Sequence, residues 1–193
     1  MVDDRPEEGR VEAALAHHES ETTASWLEPV YRENAAVVLQ TAYRVTGSPE
    51  DAEDVLQTVF IRLARRSDPP DFSAGPRAYL RRAATNAALD IVQSRRVRSG
   101  VALEDAGGHA ERDSAPAPDR LHLSRELHDH LRRALTKLSQ RSAEIFVLRY
   151  FEELNNSEIA DQLGTTPGSV AVTLHRARTR LKDEMTPFLG GLQ

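Results

Sequence analysis

Six arginines fall between residues 77 and 98: Arg77, Arg81, Arg82, Arg95, Arg96 and Arg98. One acid, Asp90, stands against them, for a net charge of +5 over 22 residues. At helical spacing Tyr79, Arg82, Asn86 and Gln93 share a face, with Asp90 at its edge. Guanidinium groups hold phosphates and release counterions, while amides and aromatic rings read or stack on bases. The chemistry on offer is nucleic-acid contact, although a basic helix is often no more than a solvated face. A second cationic run, Arg176, Arg178, Arg180 and Lys182, has no acid between its members. It too suits phosphate contact.

Other chemistries find little support. The chain has no cysteine, which excludes disulfides, thiol nucleophiles and Cys-based zinc sites and suits a reducing compartment. His17 and His18 are adjacent, and His128 and His130 are two apart, so neither pair shares a helical face; His122 also reads as a solvated position. There is no nucleophile–base set and no phosphate-cradling glycine loop. No catalytic residue, metal, cofactor or small-molecule substrate is expected. No run approaches the ~20 apolar residues of a membrane span, and the acidic N-terminus is unlike a signal peptide. A cytoplasmic location is expected. Net charge is −5, and residues 1–25, with seven acids and two bases, account for all of it. The acidic balance therefore does not argue against a nucleic-acid partner, because local charge is what matters.

The elements that position these residues are helical throughout. Trp26 to Val45 is a first amphipathic run, with Tyr31, Ala35, Val38, Leu39, Ala42 and Tyr43 at helical spacing. Gly47 can take a left-handed C-cap, and Ser48 caps the next helix, with Pro49 in its first turn. Ala52, Val55, Leu56, Val59, Phe60 and Leu63 form one apolar face of that helix. Glu50, Asp54, Gln57 and Ile61 project together on the other side. That far face is either plain solvent surface with one stray Ile or an acidic, amide-bearing docking face with an apolar anchor. A Pro-rich loop, 66–75, carries the aromatic Phe72. Pro76 starts the arginine-bearing helix, whose inner face is Leu80, Ala83, Ala84, Ala87 and Ile91.

Gly, Pro, Ser and acids then dominate residues 99–120, which reads as a flexible acidic linker. Beyond it, Leu127, Leu131, Ala134, Leu135 and Leu138 mark another helix, followed by one with Ile145, Phe146, Leu148 and Phe151 inward. Ser157 can cap a short helix that Gly164 closes; Thr166 and Pro167 open the next. Ala160, Gly164 and Val170 stand at helix-turn-helix spacing, and Val170, Leu174, Ala177 and Leu181 form the buried stripe of the second helix. The expected organisation is an acidic mobile tail (1–25), a helical domain (26–98), the linker (99–120), a helix-turn-helix domain (121–186) and a C-terminal tail (187–193). The fold class is all-α.

The stretches DAEDVLQTVF, YLRRAATNAALDIVQSRR and SEIADQLGTTPGSVAVTLHRARTRL are similar, in this order, to those of extracytoplasmic-function (ECF) sigma factors, the small bacterial subunits that direct RNA polymerase to promoters. The resemblance implies a three-to-four-helix sigma domain 2 and a helix-turn-helix sigma domain 4. It implies that Asp51, Asp54, Gln57 and Ile61 bind core polymerase. Arg77, Tyr79, Arg82, Asn86, Asp90, Arg95 and Arg96 would meet the minus-ten element, and loop 66–75 would help hold a flipped base. Ser169, Ala171, Thr173, His175, Arg176, Arg178 and Arg180 would meet the minus-thirty-five element. The family commonly has Lys-Ser-Arg where this chain has Ala171-Val172-Thr173, which implies weaker or unusual upstream recognition. Partners implied are core polymerase, promoter DNA and an anti-sigma factor. A helix-turn-helix regulator acting without polymerase, or an adaptor binding polymerase but not DNA, are the competing readings.

Overall fold

The structure is a computed structural model that describes the backbone of residues 7–105 and 119–190 and the side chains of 26–95 and 126–190. Among the described residues there are seven helices and no strand: α1 (Glu7–Thr46), α2 (Pro49–Ala64), α3 (Pro76–Asp105), α4 (Asp119–Leu135), α5 (Gln140–Tyr150), α6 (Asn156–Leu163) and α7 (Pro167–Gly190). The helix α1 starts inside the stretch expected as a tail, and α3 runs into the expected linker. The rest of the expected tail and linker, residues 1–6 and 106–118, lies outside the described residues. At the other end α7 continues through Pro187 to Gly190, so a tail does not begin at 187.

Local chemistry sets the boundaries. Gly47 takes φ +69° at the end of α1, and its N–H donates to the Tyr43 carbonyl at 2.8 Å. Ser48 Oγ then accepts from the Asp51 N–H at 3.2 Å and caps α2. The reciprocal half of a capping box is missing, because Asp51 turns its carboxylate elsewhere. At α6 the cap is Asn155, not Ser157. Asn155 Oδ1 accepts from the Ser157 and Glu158 N–H groups, while Glu158 Oε2 accepts from the Asn155 N–H at 2.7 Å. The amide two residues earlier closes a full capping box that the serine cannot. Gly164 ends α6 in the left-handed region at φ +59°, and Thr166 Oγ1 accepts from the Ser169 N–H at the start of α7.

Helices α1, α2 and α3 pack as one three-helix layer. Val38, Ala42, Val45, Val55, Val59, Leu63, Leu80, Ala84 and Ala88 are its buried residues. The inward stripe of α1 differs from the expected one. Val37, Val38, Thr41, Ala42 and Val45 are buried, whereas Tyr31, Leu39 and Tyr43 are exposed. Aromatic and aliphatic bulk at helical spacing marked a broader stripe than the two neighbouring helices cover.

The same core does not stop at the end of α3. Ala134, Leu135, Ala143, Phe146, Val147, Ala177, Leu181 and Met185 from the second half of the chain are contiguous with it. A second, smaller core lies within the helix-turn-helix: Ile145, Leu148, Leu154, Ile159, Ala160, Leu163, Val170 and Leu174. The two halves are thus docked, not strung apart. At their joint the Arg132 side chain of α4 donates from Nε to the Val45 carbonyl at 3.1 Å. Its guanidinium fills the space where Gly47 has no side chain: a Cβ built there would lie 1.9 Å from it.

Candidate nucleic-acid interface

Two surfaces carry the residues singled out by their chemistry. The first is α3, with the loop before it. Phe72 is fixed between Trp26 and Tyr79 in two edge-to-face contacts, at ring-centroid distances of 6.4 and 5.5 Å. Asp71 accepts from the Ser73 N–H at 2.8 Å, so this acid braces the loop. Gly75, at φ +86°, leads the chain into α3. Beneath the loop lies a cleft of about 460 Å³, lined by Arg66, Asp71, Tyr79 and Arg82 from the first half and Asp161 and Gln162 from α6. Tyr79 is therefore half-buried and part of the packing, not a free stacking platform.

Further along α3, Arg82, Asn86 and Asp90 do share one face, and that face meets α5. Arg82 Nε and Asn86 Nδ2 each donate to Glu144 Oε1 at 2.9 Å. Gln140 Nε2 reaches Asn86 Oδ1 at 3.4 Å and Asp90 Oδ1 at 3.5 Å. Arg77 is exposed, and the side chain of Arg96 is outside the described residues. Arg95 points back to α2, where it forms an ion pair with Asp51.

That pair settles where Asp51 sits. Its residue surface is 5% exposed, and Oδ2 has no partner. Burial raises its pKa above the ordinary aspartate value, the Arg95 guanidinium pulling the other way. A carboxylate in this position holds α3 to α2 and is turned away from solvent. Asp54, Gln57 and Ile61 are exposed, Ile61 to 49%. Glu50, also exposed, completes their row on the outer face of α2; its carboxylate is kept below the usual range by a backbone N–H and the Ser48 hydroxyl. The exposed set is thus Glu50, Asp54, Gln57 and Ile61, with Asp51 removed from it because its charge is used internally.

The second surface is α7. Val170, Leu174, Ala177 and Leu181 face inward as the spacing requires. Ser169, Ala171, His175, Arg176, Arg178 and Arg180 are exposed and Thr173 is half-buried. The hydroxyls among them are already occupied. Ser169 Oγ lies 2.9 Å from Thr166 Oγ1, and Thr173 Oγ1 donates to the Ser169 carbonyl at 2.9 Å. Methyl groups therefore dominate the first turns, and His175 and Arg176 are the first long polar side chains. Among the described residues no carboxylate pairs with Arg176, Arg178 or Arg180. No group of described residues could hold a metal ion, and no described helix is long and apolar enough to cross a membrane.

Two acids absent from the sequence-based reading complete the picture. Glu144 and Glu152, on and just after α5, are nearly inaccessible, with side chains 5% and 4% exposed. Glu152 accepts from the Thr41 hydroxyl at 3.0 Å and pairs with Arg44 at 3.2 Å and Arg81 at 2.9 Å. The one local signal was an acid embedded in an apolar helical run, SAEIFVL.

Residues 30–98 match the family described as sigma-70 region 2, and residues 128–181 match sigma-70, region 4. The chain is 30% identical to the ECF RNA polymerase sigma factor SigE of Mycolicibacterium smegmatis, over 88% of this chain and 75% of that one. It is 32% identical to the RNA polymerase sigma-E factor of Streptomyces avermitilis, over 82% of this chain and 84% of that one. Among solved structures it is similar to the sigma factor RpoE of Bartonella quintana, crystallised with the anti-sigma factor NepR. That match has 18% identity and a TM-score of 0.47, over 82% of this chain and 96% of that one.

Proposed function

This chain belongs to the extracytoplasmic-function family of RNA polymerase sigma factors, and from that premise we propose how its surfaces divide the work of initiation. A sigma factor is not an enzyme: the catalytic site is polymerase's, and the sigma subunit supplies promoter recognition. The outer face of α2, through Asp54, Gln57 and Ile61 with Glu50 in the place expected for Asp51, docks on core polymerase. Arg82, Asn86 and Asp90 on α3 engage the minus-ten element, with Arg77 on its flank holding phosphate. Loop 66–75, braced by Phe72, borders the cleft that takes a displaced base.

The observation that carries the reading is α7: exposed guanidinium groups without acid partners, on the second helix of a helix-turn-helix. There Arg176, Arg178 and Arg180 hold the upstream element by its phosphates. Ala171 and Thr173 contribute methyl contacts suited to thymine. Recognition of the minus-thirty-five element is thus weighted toward A·T steps and backbone. The chain works in the cytoplasm, where polymerase is, and an anti-sigma factor restrains it.

Run-off transcription with purified core polymerase and permanganate footprinting test these assignments. Replacing Arg82 and Asn86 together by Ala should cut minus-ten melting by about 10- to 100-fold, the worth of one or two base contacts. Unchanged melting would overturn the α3 assignment. Tight duplex binding by the chain without core polymerase would favour a polymerase-independent regulator. Strong guanine dependence of the upstream element, lost on Thr173→Ala, would contradict the methyl-contact reading.

A further inference from the structure

The α3 face assigned to the minus-ten element is partly covered: Asn86 is half-buried and the Arg82 side chain is 43% exposed, while Asp90 and Arg77 stay exposed. Helix α5 lies across it: the nearly inaccessible Glu144 reaches into that face, and Glu152, just after the helix, reaches the neighbouring side of α3 and α1. Glu144 takes two donors from α3, Arg82 Nε and Asn86 Nδ2, both at 2.9 Å, and one from its own helix, Arg141 at 3.2 Å. Eight residues further on, just past the end of α5, Glu152 sits between Arg81 and Arg44. Each acid gathers two guanidinium groups, as a phosphate oxygen pair would. The carbonyl of Gln162, near the C-terminal end of α6, lies 3.4 Å from Arg82 Nη1 and adds partial negative charge.

We propose that α5 is an internal substitute for promoter DNA: Glu144 occupies the Arg82 and Asn86 donors of α3 while Glu152 ties the same segment to Arg81 and Arg44, so that the docked chain cannot bind the minus-ten strand through those donors and must open to do so. The inference rests on the assignment of Arg82 and Asn86 to that strand. It names the device that covers them. DNA and Glu144 compete for the same nitrogen atoms, so their occupancy is mutually exclusive by contact and not through any relayed change. The apparent affinity of the free chain for a minus-ten oligonucleotide is then its intrinsic affinity scaled by the open fraction. Other charged groups facing the pair are Arg141 from α5 and Asp90 from α3, and neither replaces the lost contact.

The test uses the full chain with Glu144→Gln and Glu152→Gln together. Each glutamine keeps the size and one accepting oxygen, turns the other into a donor and removes the charge. Because the natural chain has no cysteine, Ala36→Cys and Thr186→Cys give two unique dye sites on exposed positions of α1 and α7. Energy transfer between them reports docking. A control carries Glu33→Gln and Glu184→Gln, two exposed acids off the interface, to match net charge. The probe is single-stranded minus-ten DNA. The expected result is reduced energy transfer and about tenfold tighter binding in the first variant, with neither change in the control. Unaltered energy transfer, or opening without gain in affinity, would overturn the proposal, as would an equal gain in the control. Failure of the underlying assignment is read separately: it would appear as undiminished melting by holoenzyme carrying Arg82→Ala and Asn86→Ala, a state in which the chain is already open.

Discussion

Helices α3 and α7 both present arginines, yet the arginines differ in what surrounds them. On α3, Arg81 faces Glu152, Arg82 faces Glu144 and Arg95 faces Asp51. On α7, Arg176, Arg178 and Arg180 stand in water with no carboxylate among the described residues. Guanidinium groups of the first kind have lost part of their hydration and act as structural ties until the ties are exchanged. Those of the second kind keep their counterions and can release them on meeting phosphate. Density of positive charge along a helix is thus a poor guide to its availability. What decides is whether acids distant in the chain have been folded against it.

The contrast can be broken most directly at α7. Removing Arg176, Arg178 and Arg180 together should lower holoenzyme affinity for promoter duplex by about a hundredfold at moderate salt and reduce the salt slope by roughly three. Thermal unfolding should hardly move, because no partner is left behind. A titration of affinity against salt, run beside a melting curve, checks both halves. Arg81→Ala should do the reverse. It strips Glu152 of its less exposed cation and should cost roughly 2 kcal/mol in urea unfolding, with Arg44 and Thr41 limiting the damage. If Arg81→Ala leaves stability intact, the distinction between tied and free arginines is wrong.

Smaller effects sharpen it. Asn155→Ala removes the cap of α6, the helix against which α7 packs, and should cost about 1 kcal/mol in urea unfolding. The isolated side-chain chemistry of α7 should survive. Titration offers the finest probe. His130 stacks on Phe188 of α7 at 3.9 Å, and its pKa is lowered, first by burial and then by Arg133. The unfolded chain therefore takes up this proton more readily than the folded one. Stability held above the ordinary value of 6.5 should be lost as pH falls through it toward the lower folded value. A His130→Phe variant should flatten that slope. Asp51 has the opposite sense for its type. Its raised pKa means that its ionised form is disfavoured on folding, so stability should rise slightly as pH falls toward the acid range. Asp51→Asn should erase that rise.

Much of this was legible in the residues alone. Gly47, Ser48, Gly164 and Thr166 mark helix ends through chemistry that acts within four positions, and the structure puts each to that use. The stripes of α2 and α7 follow from period alone. Asp51 was placed on the docking face by the family resemblance alone, whereas the partner that turns it inward, Arg95, lies 44 residues away. Likewise the partner of Arg82 is 62 residues distant, across the acidic linker. Periodicity records which side of a helix is apolar and says nothing about which helix arrives there. The docking of the two halves, and with it the covered state of α3, could not be read from patterns of that reach.

The empty place at Gly47 bears on how such a molecule could open and close repeatedly. Arg132 seats in a socket formed by a missing side chain and bonds the Val45 carbonyl at its rim, so a flexible side chain and not the backbone makes this contact between the halves. An alanine there would be strained by the positive φ of +69° and would push the Arg132 guanidinium, the far end of a flexible side chain, out of its seat. The same paired dyes would register it as a weaker grip between the halves.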